Sequence, residues 1–244
     1  MIKTLGIIGT GTVGGALARR AVGAGLDVVV SNSRGPETLR ELVDELGGQA
    51  RAATPAQAAQ AADVAVAAIP LAAHDQLPQA ELAGKTVIDT MNYMPTSDWS
   101  SPELDRDELT SSELVQRHLT GARVVKALNS FGPQHLESLA RPAGDPERTA
   151  MPIAADDAGA KAEVTELLDV LGYDVVDLGG LAESWRSEPN SPVYHAPYMP
   201  EIPQGLELDE LMAWVAQAPG IPVSASRIEE LLSTAVRGPA GFRL

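Results

Sequence analysis

The sequence predicts an α/β protein: a doubly wound, mostly parallel sheet with a small, proline-rich, partly helical C-terminal extension. Three observations predict it. An apolar run, Leu5-Gly6-Ile7-Ile8, leads directly into Gly9, Gly11 and Gly14 in the order G-x-G-x-x-G. Short apolar strands then alternate with helical segments as far as Leu178, the pattern of a parallel sheet with crossover helices. From Gly179 the chain changes character, with Pro189, Pro192, Pro197, Pro200 and Pro203 in close succession. The expected division is a dinucleotide-binding Rossmann domain over residues 1–180 and an extension over residues 181–244.

The glycines carry the first functional expectation. In a strand–turn–helix unit they make a tight turn, let backbone approach a pyrophosphate, and let the helix pack closely on its strand. Helix Val13–Ala24 follows, and small Ala18 lets it lie on the sheet. Free N–H groups and the dipole at its start suit an anion. Gly25 ends the helix, and Leu26–Ser31 is the second strand. An NAD site would carry an acidic residue after that strand. Here stand Ser31-Asn32-Ser33-Arg34: two hydroxyls, an amide and a guanidinium that would bind a 2′-phosphate a carboxylate would repel. The expected nucleotide is NADP(H).

After Gly35-Pro36, Leu39, Leu42, Val43 and Leu46 give Glu37–Leu46 helical spacing, ended by Gly47-Gly48. Thr54-Pro55 starts a short helix over Ala56–Ala62. Val64–Ile69 is the third expected strand, and Ile69, Pro70 and Leu71 are expected to wall the cleft at its end. His74 follows on the segment Ala72–Leu77. Lys85–Met91 is the fourth strand, and Asn92-Tyr93-Met94-Pro95 leaves it. Ser97 to Glu108 is polar and is expected to be an exposed excursion. Thr110 and Glu113 have capping-box spacing before helix Ser111–Leu119. Arg123–Leu128 is the fifth strand, with Asn129 to Pro133 leaving it on the edge that carries Gly9 and Pro70, and His135 behind. Ala150–Ala155 is the sixth strand; Asp156-Asp157 caps helix Ala158–Leu171, and Tyr173–Leu178 is the seventh. In the extension, helices are expected at Leu206–Ala218 and Ser224–Val236. Trp185, Arg186, Tyr194, His195 and Tyr198 suit a cover over the cleft, a contact with a second subunit, or plain packing.

Bulk properties narrow the partners. A net charge of −15 disfavours nucleic acid and anionic membrane surfaces, so an anionic cofactor must be held by local groups. Cysteine is absent, which removes disulfides, thiolate metal sites and cysteine nucleophiles. No metal-ligand cluster is expected. With no signal peptide before the first strand and no apolar run near ~20 residues, a cytoplasmic protein is expected.

The stretches GIIGTGTVGGALA, VVVSNSRGPE, AIPLAAHDQL, VIDTMNYMP, SSELVQRHLTGARVVKALNSFGP and DDAGAKAEVTELLDVLGYDVVDLGGLAESWR together resemble the NADP oxidoreductases that depend on coenzyme F420, a deazaflavin. The likeness covers about residues 2–187; the Ser33-Arg34 pair and the strand end from Lys126 to Asn129 carry it more than the glycines. It implies hydride transfer between stacked nicotinamide and deazaflavin rings, in a homodimer with a small-molecule substrate. It implies that Thr10, Gly11, Thr12 and Val13 hold the pyrophosphate, in a cofactor-binding turn that includes Gly9 and Gly14. By the same likeness Asn32, Ser33 and Arg34 hold the 2′-phosphate, and Ile69 and Pro70 border the nicotinamide. Asn129, Phe131, Gly132 and Pro133 would line the deazaflavin pocket. Asn129 stands where deazaflavin reductases carry a histidine, and the tail from Pro189 onward has no counterpart in the likeness.

Ring-to-ring transfer needs proximity and orientation more than acid or base groups, and no nucleophile motif is present. The catalytic candidates are Asn129 or Asn92, as an amide to bond a ring oxygen, and His74. An imine, carbonyl or flavin acceptor is the alternative; imines and carbonyls need a proton donor, for which His74, Tyr93, Tyr194 and His195 are available. A non-catalytic NADP(H)-binding sensor is the third reading, since a fold does not fix an activity.

Overall fold

The computed structural model describes residues 2–241. Its eight-stranded sheet runs in the order β3-β2-β1-β4-β5-β6-β7-β8. The strands are β1 Thr4–Ile8, β2 Asp27–Ser31, β3 Ala50–Ala53, β4 Val64–Ala67, β5 Thr86–Asp89, β6 Arg123–Lys126, β7 Ala150–Ala155 and β8 Asp174–Asp177. Strands β1 to β6 are mutually parallel. The direction reverses at β7, antiparallel to β6, and β8 follows β7 in parallel. Helices α1 Thr12–Gly23, α2 Arg40–Leu46, α3 Pro55–Ala61, α4 Gln79–Leu82, α5 Pro102–Asp105, α6 Ser111–His118, α7 His135–Ser138, α8 Ala158–Leu171, α9 Leu208–Gln217 and α10 Ala225–Ser233 lie around it. This is the expected Rossmann-type α/β fold.

Successive strand residues point to opposite faces, and both faces are apolar, as a parallel sheet requires. Leu5, Ile7, Val64, Val66, Ile88 and Val125 pack into one core with α1 and α8. Ile8, Ala65, Ala67, Val87 and Val124 pack into the other with Val115 and Leu119. The caps at Thr54, Thr110 and Asp157 form as the sequence indicates: Thr54 and Thr110 in capping boxes with Gln57 and Glu113, Asp157 accepting from the Ala160 N–H. After β8 the chain returns to the sheet. Val193, Tyr198, Val223 and Ile228 are buried in the first core, and the Ala150 N–H donates to the Val223 carbonyl at 2.8 Å.

Two expectations are corrected. Ala50–Ala53 is an edge strand paired with β2, so the sheet has one strand more than the seven expected. Its sequence, Ala-Arg-Ala-Ala, has low strand propensity, and the pairing is imposed by the neighbour. The stretch from Ser97 to Glu108 is not a wholly exposed excursion. Leu104 is buried, Trp99 packs edge-on against Tyr93 with ring centres 5.6 Å apart, and the Tyr93 hydroxyl accepts the Ser101 N–H at 2.9 Å.

Candidate functional site

The three motif glycines do three different things. Gly9 turns the chain out of β1 with φ +98°, and a Cβ there would lie 2.4 Å from the Ala68 carbonyl oxygen. A Cβ on Gly14 would lie 1.9 Å from the Gly9 carbonyl oxygen, so α1 rests directly on the turn. At Gly11 a Cβ would meet nothing within 4 Å. The start of α1 also carries no side-chain cap and no acidic residue in its first turn, whereas α3, α6, α8 and α10 are each capped by a side chain. Open space over Gly11 before an uncapped helix start is the arrangement a pyrophosphate needs, so these residues fit a dinucleotide.

The tip of β2 lies against this turn. The Ser31 carbonyl oxygen accepts from the Gly9 N–H at 2.9 Å and from the Thr10 hydroxyl at 2.8 Å. Ser31 itself is fully buried and its hydroxyl donates to the Ile7 carbonyl at 3.0 Å. One of the two hydroxyls offered to a 2′-phosphate is therefore turned into the sheet. Asn32 shapes the loop: its Oδ1 accepts from the Arg34 and Gly35 N–H groups at 2.9 and 3.0 Å, and its Nδ2 donates to the Thr38 hydroxyl at 2.9 Å. Ser33 and Arg34 are exposed, and the Arg34 guanidinium makes no ion pair among the described residues.

Ile69 follows β4 beside Gly9 and is half-buried, and Pro70 is exposed. Leu71 does not wall the cleft; it is 3% exposed and sits in the second core. His74 bonds the Leu71 carbonyl at 2.9 Å and stands edge-on to His118, 6.0 Å between ring centres. Asn92 and Asn129, at the tips of β5 and β6, hold one another: Asn92 Nδ2 donates to the Asn129 carbonyl and Asn129 Nδ2 to Asn92 Oδ1, both at 3.1 Å. Asn129 also donates to the Ser187 carbonyl at 2.8 Å and is buried beneath it. Phe131 is in the core, its ring centre 5.9 Å from Tyr173 and 5.2 Å from Tyr198. Gly132 is buried and Pro133 half-buried beside it.

Sequence reading missed a buried ionic knot under these tips. Lys126 and Asp89 are 0% exposed and Glu188 is 5%. The Lys126 ammonium bonds the Met91 carbonyl oxygen, donates to the Ser111 hydroxyl at 2.9 Å, and stands 3.5 Å from Asp89 and 3.9 Å from Glu188. Ser112 donates to Asp89 at 2.7 Å, and the Met91 N–H to the same carboxylate at 2.9 Å. The signal was a lysine inside the apolar run Val124-Val125-Lys126-Ala127-Leu128. An ion that deep needs partners, and residues distant in sequence supply them.

His195 lies in the extension with φ 56°, its N–H donating to the Ser130 carbonyl at 2.6 Å and its ring stacked on Tyr194 at 4.3 Å. Burial, then the nearby His135, pushes its pKa down to about 4. The ring is neutral at pH 7 and holds no imidazolium proton to give. Because the folded value lies below the unfolded one, stability is intact above about pH 6.5 and falls as the pH drops toward the folded value. Wild type should lose about 2 kcal/mol more than His195→Asn between neutral pH and pH 4. Urea unfolding at several pH values checks this; parallel curves for the two proteins would rule it out.

Comparison with known proteins agrees with this geometry. The model of the family NADP oxidoreductase, coenzyme F420-dependent, matches residues 4–93. A solved Arthrobacter sp. FB24 structure, assigned as an F420-dependent NADP reductase, is 30% identical with a TM-score of 0.62, over 74% of this chain and 86% of that one. The chain belongs to the coenzyme F420-dependent NADP oxidoreductase family. A hypothetical protein of Sinorhizobium meliloti is also similar, at 30% identity and a TM-score of 0.69, over 80% of this chain and 93% of that one. Metalloreductase STEAP3 of Rattus norvegicus is 29% identical over 186 residues, 75% of this chain. The chain spans about a third of the length of that curated relative, 35%. No helix among the described residues is long and apolar enough to cross a membrane.

Proposed function

We propose that this family member transfers hydride between NADP(H) and a deazaflavin coenzyme. The open space over Gly11 at an uncapped helix start carries the nucleotide part of the reading. The N–H groups of Thr12 and Val13 and the Thr10–Gly11 turn would hold the pyrophosphate, and Ser33 and the unpaired Arg34 the 2′-phosphate. Asn32 positions those two through its loop bonds. Ile69 and Pro70 would bound the nicotinamide. When bound, the reduced nicotinamide supplies the hydride. Orientation and exclusion of water are what the chain adds, and Asn92, half-buried beside Asn129, is the polar group placed to orient a ring.

Membership of the family favours the deazaflavin. A second reading, a smaller or different acceptor such as an imine, a carbonyl or a flavin, is favoured by a specific observation: Asn129 and Phe131 lie under the chain's own extension. The deciding experiment mixes the protein, NADPH and oxidised deazaflavin and follows the loss of the deazaflavin's visible absorption. Bleaching supports the first reading. No bleaching, with NADPH consumed in the presence of a flavin, ferric chelate, imine or carbonyl, supports the second. NADPH that binds and is never oxidised by any of them points to the sensor.

Arg34→Ala should weaken NADPH binding by about 1–3 kcal/mol and leave NADH nearly unchanged, the worth of one charge-assisted contact. Titration of both proteins with both nucleotides measures it, and equal wild-type affinity for NADH and NADPH would remove the NADP assignment.

A further inference from the structure

Residues 184–198 form a strap across the tip of β6. The Ser187 carbonyl takes the Asn129 amide at 2.8 Å, the His195 N–H reaches the Ser130 carbonyl, and Tyr198 packs on Phe131. The strap hides the polar groups of β6 that the acceptor would meet. It is also under backbone strain. His195 adopts a left-handed φ of 56°, which costs such a residue about 1–2 kcal/mol, whereas Asn190, at φ 71°, is of a type that tolerates that region. Something must hold it down.

Asn190 Nδ2 donates to the Pro239 and Gly241 carbonyl oxygens at 3.0 and 2.6 Å, and Glu188 supplies the carboxylate hold. Glu188 Oε1 accepts from Ser184 at 2.8 Å, within the strap, and from Ser111 at 2.9 Å, on the body of the protein. Ser111 in turn accepts from the Lys126 ammonium, so one chain of donors runs from β6 through α6 to the strap. A fold that needed only packing here would do as well with apolar residues, since burying ions in place of them often gains nothing. Beside Glu188 the space bounded by Trp185, Pro189, Asn190, Arg237 and Pro239 amounts to a cavity of only about 20 Å³, so the clamped strap is closely packed there.

We propose that Glu188 is a positioning residue: through Ser111 and Lys126 it clamps the strap of residues 184–198 over Asn129 and Ser130 and thereby sets how large an acceptor reaches the strand tips. The acceptor part rests on the hydride-transfer reading above; the clamp itself does not. The test therefore has a readout without turnover. Arg186, half-buried in the strap and paired with Glu183 at 2.6 Å, is a tryptic site. In Glu188→Ala, cleavage after Arg186 should rise about tenfold, while cleavage after exposed Arg34 stays at the wild-type rate. NADPH affinity should stay within about twofold, and the KM for a flat tricyclic acceptor should fall about fivefold. Glu188→Gln keeps an oxygen for both hydroxyls and leaves Lys126 balanced by Asp89, so it should restore wild-type cleavage. Wild-type cleavage at Arg186 in Glu188→Ala overturns the proposal. So does a rise at every tryptic site together, which would make Glu188 a plain stability residue. Selective cleavage at Arg186 with no acceptor turned over would keep the clamp and sink the hydride-transfer reading instead.

Discussion

Lys126→Met is expected to destabilise the protein by about 3–5 kcal/mol, the cost of leaving buried charge without its partner. Methionine fills the same volume, so cavity formation adds little. What it removes is the cation that faces Asp89 and Glu188, both nearly or wholly inaccessible to water. It also strips a donor from the Met91 carbonyl, at the tip that leads into Asn92. The mechanism has its own control. Neutralising the whole set, as Lys126→Met with Asp89→Asn and Glu188→Gln, should recover most of the loss, because no uncompensated ion remains. Urea midpoints at pH 7 for the single and triple variants decide it. A single variant within about 1 kcal/mol of wild type would mean that water reaches the knot and the ions are not truly buried.

The second large effect separates two glycines three residues apart. In Gly14→Ala the new methyl would lie 1.9 Å from the Gly9 carbonyl oxygen, which is backbone and cannot swing away. Helix α1 must lift off β1, at a cost of about 1–3 kcal/mol in stability, and the phosphate turn moves with it. In Gly11→Ala the methyl meets no protein atom within 4 Å, and φ −77° is open to alanine. Stability should hold within about 0.5 kcal/mol. Yet the methyl takes the room left for the pyrophosphate, so NADPH affinity should drop about tenfold or more. Thermal unfolding and NADPH titration on the two variants give opposite patterns if the reading is right. Unchanged NADPH affinity in Gly11→Ala would place the dinucleotide elsewhere.

These two cases mark how far the residues could be read in one dimension. The Gly9–Gly14 turn, the caps at Thr54, Thr110 and Asp157, and the strand β7 and helix α8 boundaries were legible because each depends on neighbours within a few positions. The edge strand Ala50–Ala53 was not, since only its pairing with β2 makes it a strand. The loop after β2 was half legible. Arg34 stands free as its composition suggests, but the orientation of the Ser31 hydroxyl depends on β1, a strand the local sequence does not contain. Nor did the strand-end run from Asn129 to Pro133 disclose that Ser187 and Tyr198 would lie on it.

By itself, the sequence determined the alternation of elements and the conformation of the glycine turn. Backbone conformation and short-range hydrogen bonding decide both. Only the tertiary structure decided that Lys126, Asp89, Ser111 and Glu188 converge, and that residues 184–198 return over the end of β6. Burial is a property of the assembled chain: a charge becomes costly, and its partners matter, only once distant segments have excluded the water around it.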